Sequence, residues 1–168
     1  MNIHKAFNLT MVWEGGGTLH QVDGDPGGAT KWGISQRAYP DLDIRMMDKE
    51  TAKALFEADY WSRVRADDLP AELRWDVVDF AFNAGVSASA KTLQRSINLC
   101  IEAHSRHDFL KLDGRIGPIT LYHVDDYPPD RLLRIFRAYR TAYYLTLAEA
   151  GKSKFIHGWL RRAEGAHG

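Results

Sequence analysis

Along most of the chain, apolar residues recur at the three- and four-residue spacing of amphipathic helices. Ile3, Ala6, Phe7, Thr10 and Met11 share one such face and predict a first helix running close to Glu14, where Gly15-Gly16-Gly17 stops it. The rhythm then changes. Thr18-Leu19-His20-Gln21-Val22 predicts a short strand, Asp23-Gly24 a tight turn, Asp25-Pro26-Gly27-Gly28 a loop and Lys31-Trp32-Gly33-Ile34 a second short strand. Helical spacing returns after Asp48, a good N-cap for a helix carrying Leu55, Phe56 and Tyr60. Pro70 opens the next helix, whose broad apolar face of Leu73, Val77, Phe80, Ala81 and Ala84, widened by Val78 and Phe82, marks it as central to the core. It ends at Asn83-Ala84-Gly85, with glycine at its C-terminal cap. A helix over about 88–103 carries Leu93, Ile97 and Cys100 or Ile101, and Asp113-Gly114-Arg115-Ile116-Gly117-Pro118 forms a turn before a short helix. Pro128-Pro129-Asp130 opens the last long helix, with Leu133, Phe136, Arg137, Tyr139, Tyr143 and Tyr144, and a final helix holds Phe155, Trp159 and Leu160. The class this predicts is mainly α: a compact helical bundle with a small irregular β-hairpin near residues 18–34.

Size and charge narrow the reading. At 168 residues and 45% hydrophobic content, the chain can bury an ordinary core without disulfides, and no repeat or low-complexity linker divides it. The single cysteine, Cys100, lies in an apolar stretch and reads as a small buried hydrophobe. Twenty-two basic and twenty-two acidic residues cancel, which argues against a nucleic-acid partner. The end of the chain is nonetheless rich in arginine and lysine: Arg131, Arg134, Arg137, Arg140, Lys152, Lys154, Arg161 and Arg162. That run reads either as a solvated helix face or as a basic surface facing an anionic polymer. No segment is long and apolar enough to span or stably anchor in a bilayer, and the first residues lack a signal core. The expected site of synthesis is therefore the cytoplasm.

The candidate chemistry gathers around Trp13-Glu14-Gly15-Gly16-Gly17. A carboxyl at a helix end, pressed against an aromatic ring and a glycine turn, is partly desolvated and close to the negative end of the helix dipole; both effects favour a protonated acid. Such an acid can donate to a glycosidic oxygen. The adjoining hairpin offers Asp23, Asp25 and Thr30 as groups that could hold a water opposite it, the two-carboxylate logic of glycoside hydrolysis. Read by themselves, Glu14 is an ordinary helix end and Asp25 an ordinary turn residue.

Glu14-Gly15-Gly16, Asp25-Pro26-Gly27-Gly28, Thr30 and Trp32-Gly33-Ile34-Ser35, taken in order, resemble the front half of glycoside hydrolase family 108 muramidases. Asp79-Phe80-Ala81-Phe82-Asn83-Ala84-Gly85 and Leu93-Gln94-Arg95-Ser96-Ile97-Asn98 resemble the same family. Asp113-Gly114-Arg115-Ile116-Gly117-Pro118-Ile119-Thr120 is similar to the peptidoglycan-binding type 3 region that usually follows it. The resemblance implies a lysozyme-like α+β fold in one compact unit, with a catalytic lobe over 1–87 and a helical peptidoglycan-binding-like lobe over 88–168. It places the catalytic glutamate on Glu14 and the water-orienting pair on Asp25 and Thr30. Trp32 and Asp23 read as substrate-binding positions, and Asn83, at the end of the central helix, either lines the cleft with them or caps the helix. Two departures stand out. The family's aromatic after Glu-Gly-Gly is Gly17 here, and the stretch from Glu14 to Asp25 is about two residues longer than the common pattern. The second carboxylate is therefore either Asp23 or Asp25, and motif register favours Asp25.

The activity implied is hydrolysis of the β-1,4 bond between N-acetylmuramic acid and N-acetylglucosamine, by a monomer needing neither cofactor nor metal. A phage or prophage endolysin would reach the periplasmic peptidoglycan through holin-dependent opening of the membrane. The rivals are a lytic transglycosylase, which needs one acid and no activated water, and a non-catalytic cell-wall-binding protein. The His104 and His107 pair lacks a third ligand of suitable spacing for zinc. Tyr139, Tyr143 and Tyr144 could stack on sugars, but core and rim positions explain them better.

Overall fold

The computed structural model describes residues 1–21, 28–102, 109–152 and 156–165. The described residues include seven α-helices and one two-stranded hairpin: α1 (Ile3–Trp13), β1 (Thr30–Lys31), β2 (Ile34–Ser35), α2 (Lys49–Phe56), α3 (Ala71–Ala84), α4 (Val86–Glu102), α5 (Pro118–Asp125), α6 (Pro129–Leu147) and α7 (Ile156–Ala163). Short π-helical turns lie at Glu57–Trp61 and Ala148–Lys152, and a 3-10 turn at Ala66–Asp68. The mainly α expectation is met.

Caps follow from side-chain chemistry. Asn2 accepts from the Lys5 amide at the start of α1, and Asp48 accepts from the Thr51 amide at the start of α2. Proline opens α5 and α6 at a position where its missing N–H costs nothing. Between α3 and α4 the chain turns at Gly85, whose φ of +96° and ψ of 148° lie in a region only glycine enters freely.

α3 is the core helix and packs against α1, α4 and α6. Leu73, Val77, Val78, Phe80 and Ala81 are fully buried on it. Large side chains buried this way each contribute roughly 1.5–3 kcal/mol. Phe80 meets the rings of Phe136, Tyr143 and Tyr144 on α6 edge-on at 5.3–6.0 Å. Beyond α6 the backbone breaks at Gly151 (φ +95°), and α7 packs back onto α6. There Trp159 stacks on Tyr144, with ring centres 5.2 Å apart.

The hairpin is shorter and placed differently than the sequence pattern predicts. Thr30 pairs with Ser35 and Lys31 with Ile34, so Trp32 and Gly33 form the turn rather than a strand. Both have positive φ, 56° and 70°, which suits a tight two-residue hairpin turn. Of the described residues in the strand expected over 18–22, only His20 pairs, exchanging two 2.8 Å backbone hydrogen bonds with Thr30, and Val22 lies outside them. The expected turn at Asp23-Gly24, the loop from Asp25 to Gly27, the His104 and His107 pair and Phe155 all lie outside the described residues.

Candidate active site

Three helices each present a pair of polar residues four positions apart, and side chains so spaced lie one above the other on a single face. They are Thr10 and Glu14 at the end of α1, Asp79 and Asn83 on α3, and Arg140 and Tyr144 on α6. Asp79 is completely buried and is the hub. It accepts from the Thr10 hydroxyl at 3.0 Å, from Arg140 Nη2 at 2.6 Å, and from Arg162 Nε and Nη2 at 2.8 and 2.7 Å. Burial pushes its carboxyl upward, but the Arg162 and Arg140 guanidinium groups outweigh that and hold it below the usual carboxylate value.

Arg162 reaches in from α7 and carries the network to the surface. Its Nη1 donates to Glu14 Oε1 at 2.6 Å. Burial opposes its charge, yet the flanking carboxylates of Asp79 and Glu14 hold the guanidinium above its ordinary value. Glu14 makes no other side-chain hydrogen bond among the described residues, so Oε2 is unengaged there. A second branch runs from Arg140, which donates to the Tyr144 hydroxyl at 3.1 Å; that hydroxyl donates to Asn83 Oδ1 at 3.0 Å. With its oxygen held, the Asn83 amide presents its N–H donors away from the network. Above these groups opens a cavity of about 360 Å³, lined by Trp13, Glu14, Asn83, Gly158, Trp159 and Arg162.

The hairpin buttresses Glu14 from behind. Gly33 lies so close that a Cβ there would fall 2.9 Å from Glu14 Cγ and 2.8 Å from the Phe82 ring. The Trp32 amide donates to the Gly16 carbonyl at 3.1 Å, tying the turn to the glycine run. The departure at Gly17 has a cause in packing: a Cβ there would meet Trp32 Cζ2 at 2.5 Å. The Trp32 indole thus occupies the space an aromatic at position 17 would need.

Of the residues expected at the site, Glu14 and Asn83 line one cavity. Trp32 turns inward, tilted against Phe7 at 6.2 Å, and does not line it. Thr30 sits in β1, its backbone paired to His20 and Ser35, and does not line it either. Asp23 and Asp25 lie outside the described residues. The seat of Glu14 also differs from the expectation of simple desolvation: its side chain is 22% exposed and has a guanidinium partner. Neither reading of the basic C-terminal run fits Arg137, Arg140 and Arg162, which turn inward onto Asp76 and Asp79. Tyr144 is core, and Trp13 and Trp159 are the aromatic rings at the cavity. The sequence reading places Asp79 only within a motif and Arg140 and Arg162 only in the basic run, and assigns none of them to the site, although two aspartates on so apolar a helix as α3 are a signal that buried cations must answer them.

Residues 7–85 match the family described as glycosyl hydrolase 108, and residues 88–164 match that described as a predicted peptidoglycan domain. Together they take in nearly the whole chain, and the first holds Glu14, Asp79 and Asn83 while the second supplies Arg140, Tyr144 and Arg162. None of the curated proteins matches. Among solved structures, SagA from Brucella abortus is similar over 97% of this chain and 94% of its own, at 26% identity and a TM-score of 0.72.

Proposed function

We propose that this glycoside hydrolase, built from a glycosyl hydrolase 108 region and a peptidoglycan domain, cleaves the β-1,4 bond between N-acetylmuramic acid and N-acetylglucosamine with Glu14 as its acid. The observation that carries the reading is the Glu14 carboxyl lining its cavity, with one oxygen fixed by Arg162 and the other unengaged among the described residues. A proton on Oε2 passes to the leaving oxygen as the glycosidic bond breaks. Asp25, with Thr30, steers a water to the anomeric carbon, and Asp25 takes the proton that the water gives up. Attack from the face opposite the leaving group inverts configuration. Trp13 and Trp159 offer faces for the sugar rings, and the Asn83 amide donates to an acetamido or hydroxyl oxygen.

A lytic transglycosylase is the second reading, favoured by one observation: among the described residues, Glu14 is the sole carboxylate lining the cavity. In that reaction the muramic acid C6 hydroxyl replaces water as the attacking group. Product mass separates the two on purified peptidoglycan. Hydrolysis adds one water and leaves a reducing end, and Asp25→Asn then loses most activity while Asp23→Asn keeps it. Anhydro ends, with full activity in both variants, would establish the transglycosylase instead.

We further propose that the enzyme serves host lysis as a phage or prophage endolysin. It would be a cytoplasmically made monomer that reaches the periplasmic peptidoglycan after a holin opens the membrane. No described helix is long and apolar enough to make that crossing itself.

A further inference from the structure

Two adjoining cavities, of about 510 and 450 Å³, share Arg63, Val86 and Ser87 and form one groove. It starts beside the Glu14 site. Gly85, on its wall, is two residues beyond Asn83, and Tyr60, also on its wall, packs at 4.8 Å on Phe82, the ring that meets Gly33 behind Glu14. One wall comes from the glycosyl hydrolase region, through Tyr60, Arg63 and Arg65. The other comes from the peptidoglycan domain, through Gly114 and Arg115.

Close packing and hydrogen bonds brace the walls. Gly114 has φ +76° and approaches so closely that a Cβ there would fall 2.3 Å from Ser87 Oγ. Gln94, buried on α4, braces the same loop by donating to Asp113 Oδ1 and the Arg115 carbonyl and accepting from the Gly114 amide. Opposite, Arg65 is held left-handed at φ 53°, with its Nε on Asp68.

The charges of the groove are unequally satisfied. Both aspartates on its walls are engaged: Asp59 accepts the Tyr39 hydroxyl at 2.6 Å, and Asp113 accepts from the Gln94 side chain and the Arg115 amide. Arg63 and Arg115 are exposed, and neither guanidinium has an ion-pair partner among the described residues. Two open guanidinium forks on a rigid frame match carboxylates, which they can bind through paired N–H donors. A peptidoglycan strand offers carboxylates chiefly on its peptide stems, because the lactyl carboxyl of each stem-bearing muramic acid is tied up in the amide bond to its stem.

We infer that Arg63 and Arg115 bind the carboxylates of peptide stems on the strand being cut at Glu14. This rests on the peptidoglycan-hydrolase reading. The test uses soluble, uncrosslinked glycan strands bearing their peptides, and the same strands with free carboxylates converted to amides. Wild-type protein should have a KM about tenfold higher on the amidated strands, the scale of a lost charge-assisted hydrogen bond. The double variant Arg63→Gln with Arg115→Gln should show that raised KM on both substrates, at unchanged kcat and melting temperature. A variant that keeps the wild-type KM on native strands would overturn the inference. So would a variant weakened equally relative to wild type on native and amidated strands, because the arginines would then serve sugar or fold. Failure of wild type to cut either substrate would instead bring down the underlying peptidoglycan reading, and the inference with it.

Discussion

Gly33 controls where the acid stands. It needs a positive φ, and any side chain would press on Glu14 Cγ and Phe82 from under 3 Å. Gly16 also has positive φ (+61°) but has open space around it, so it isolates backbone strain from crowding. Gly16→Ala should cost about 1–2 kcal/mol of stability with activity largely kept, since the left-handed conformation alone is the penalty. Gly33→Ala should add an overpacking cost of about 1–3 kcal/mol and lower activity well beyond its effect on folding, as Glu14 is pushed off its seat. Thermal melts beside rate measurements check this, and equal activity in the two variants would contradict it. At this scale the sequence was partly legible. Three glycines after a helix-spaced apolar face mark Glu14 as a helix end, but nothing local announces Arg162, 148 residues away, as its partner.

Between elements, α3 and α6 are joined by a polar ladder of constant offset. Asp76 meets Arg137, Asp79 meets Arg140 and Asn83 meets Tyr144, each 61 residues apart. A fixed offset along two helices means that they run side by side in the same direction. The helices were legible because burial imposes its period on the sequence. The ladder was not, because the 3-4 spacing of Asp76, Asp79 and Asn83 acquires meaning only when set against Arg137, Arg140 and Tyr144. Asp79→Asn should cost about 3–5 kcal/mol at neutral pH, since it removes the carboxylate facing two buried arginines. The sign with pH follows from its lowered folded value. The stability it gives is complete above the ordinary value of 3.8 and is lost as pH falls through the lower folded value. The melting-temperature gap between wild type and Asp79→Asn should therefore be wide at pH 7 and begin to close as pH falls below 3.8 toward the lower folded value. A gap unchanged across that range would show that Asp79 is not charged in the fold.

Across the whole molecule, neither matched region completes the site alone. The glycosyl hydrolase region holds Glu14, and the peptidoglycan domain sends Arg162 back to fix it and Trp159 to wall its cavity. Order along the chain conceals this: the sequence reads as a catalytic half followed by a binding half. The most direct measurement of the central claim is the release of reducing ends from purified peptidoglycan by wild type and Glu14→Gln, each first shown to melt at a similar temperature. Gln keeps the shape and can still accept from Arg162, but it has no proton to transfer. The rate should fall at least about a hundredfold, the usual cost of losing a general acid. A folded Glu14→Gln protein releasing reducing ends at close to the wild-type rate would contradict the assignment of Glu14.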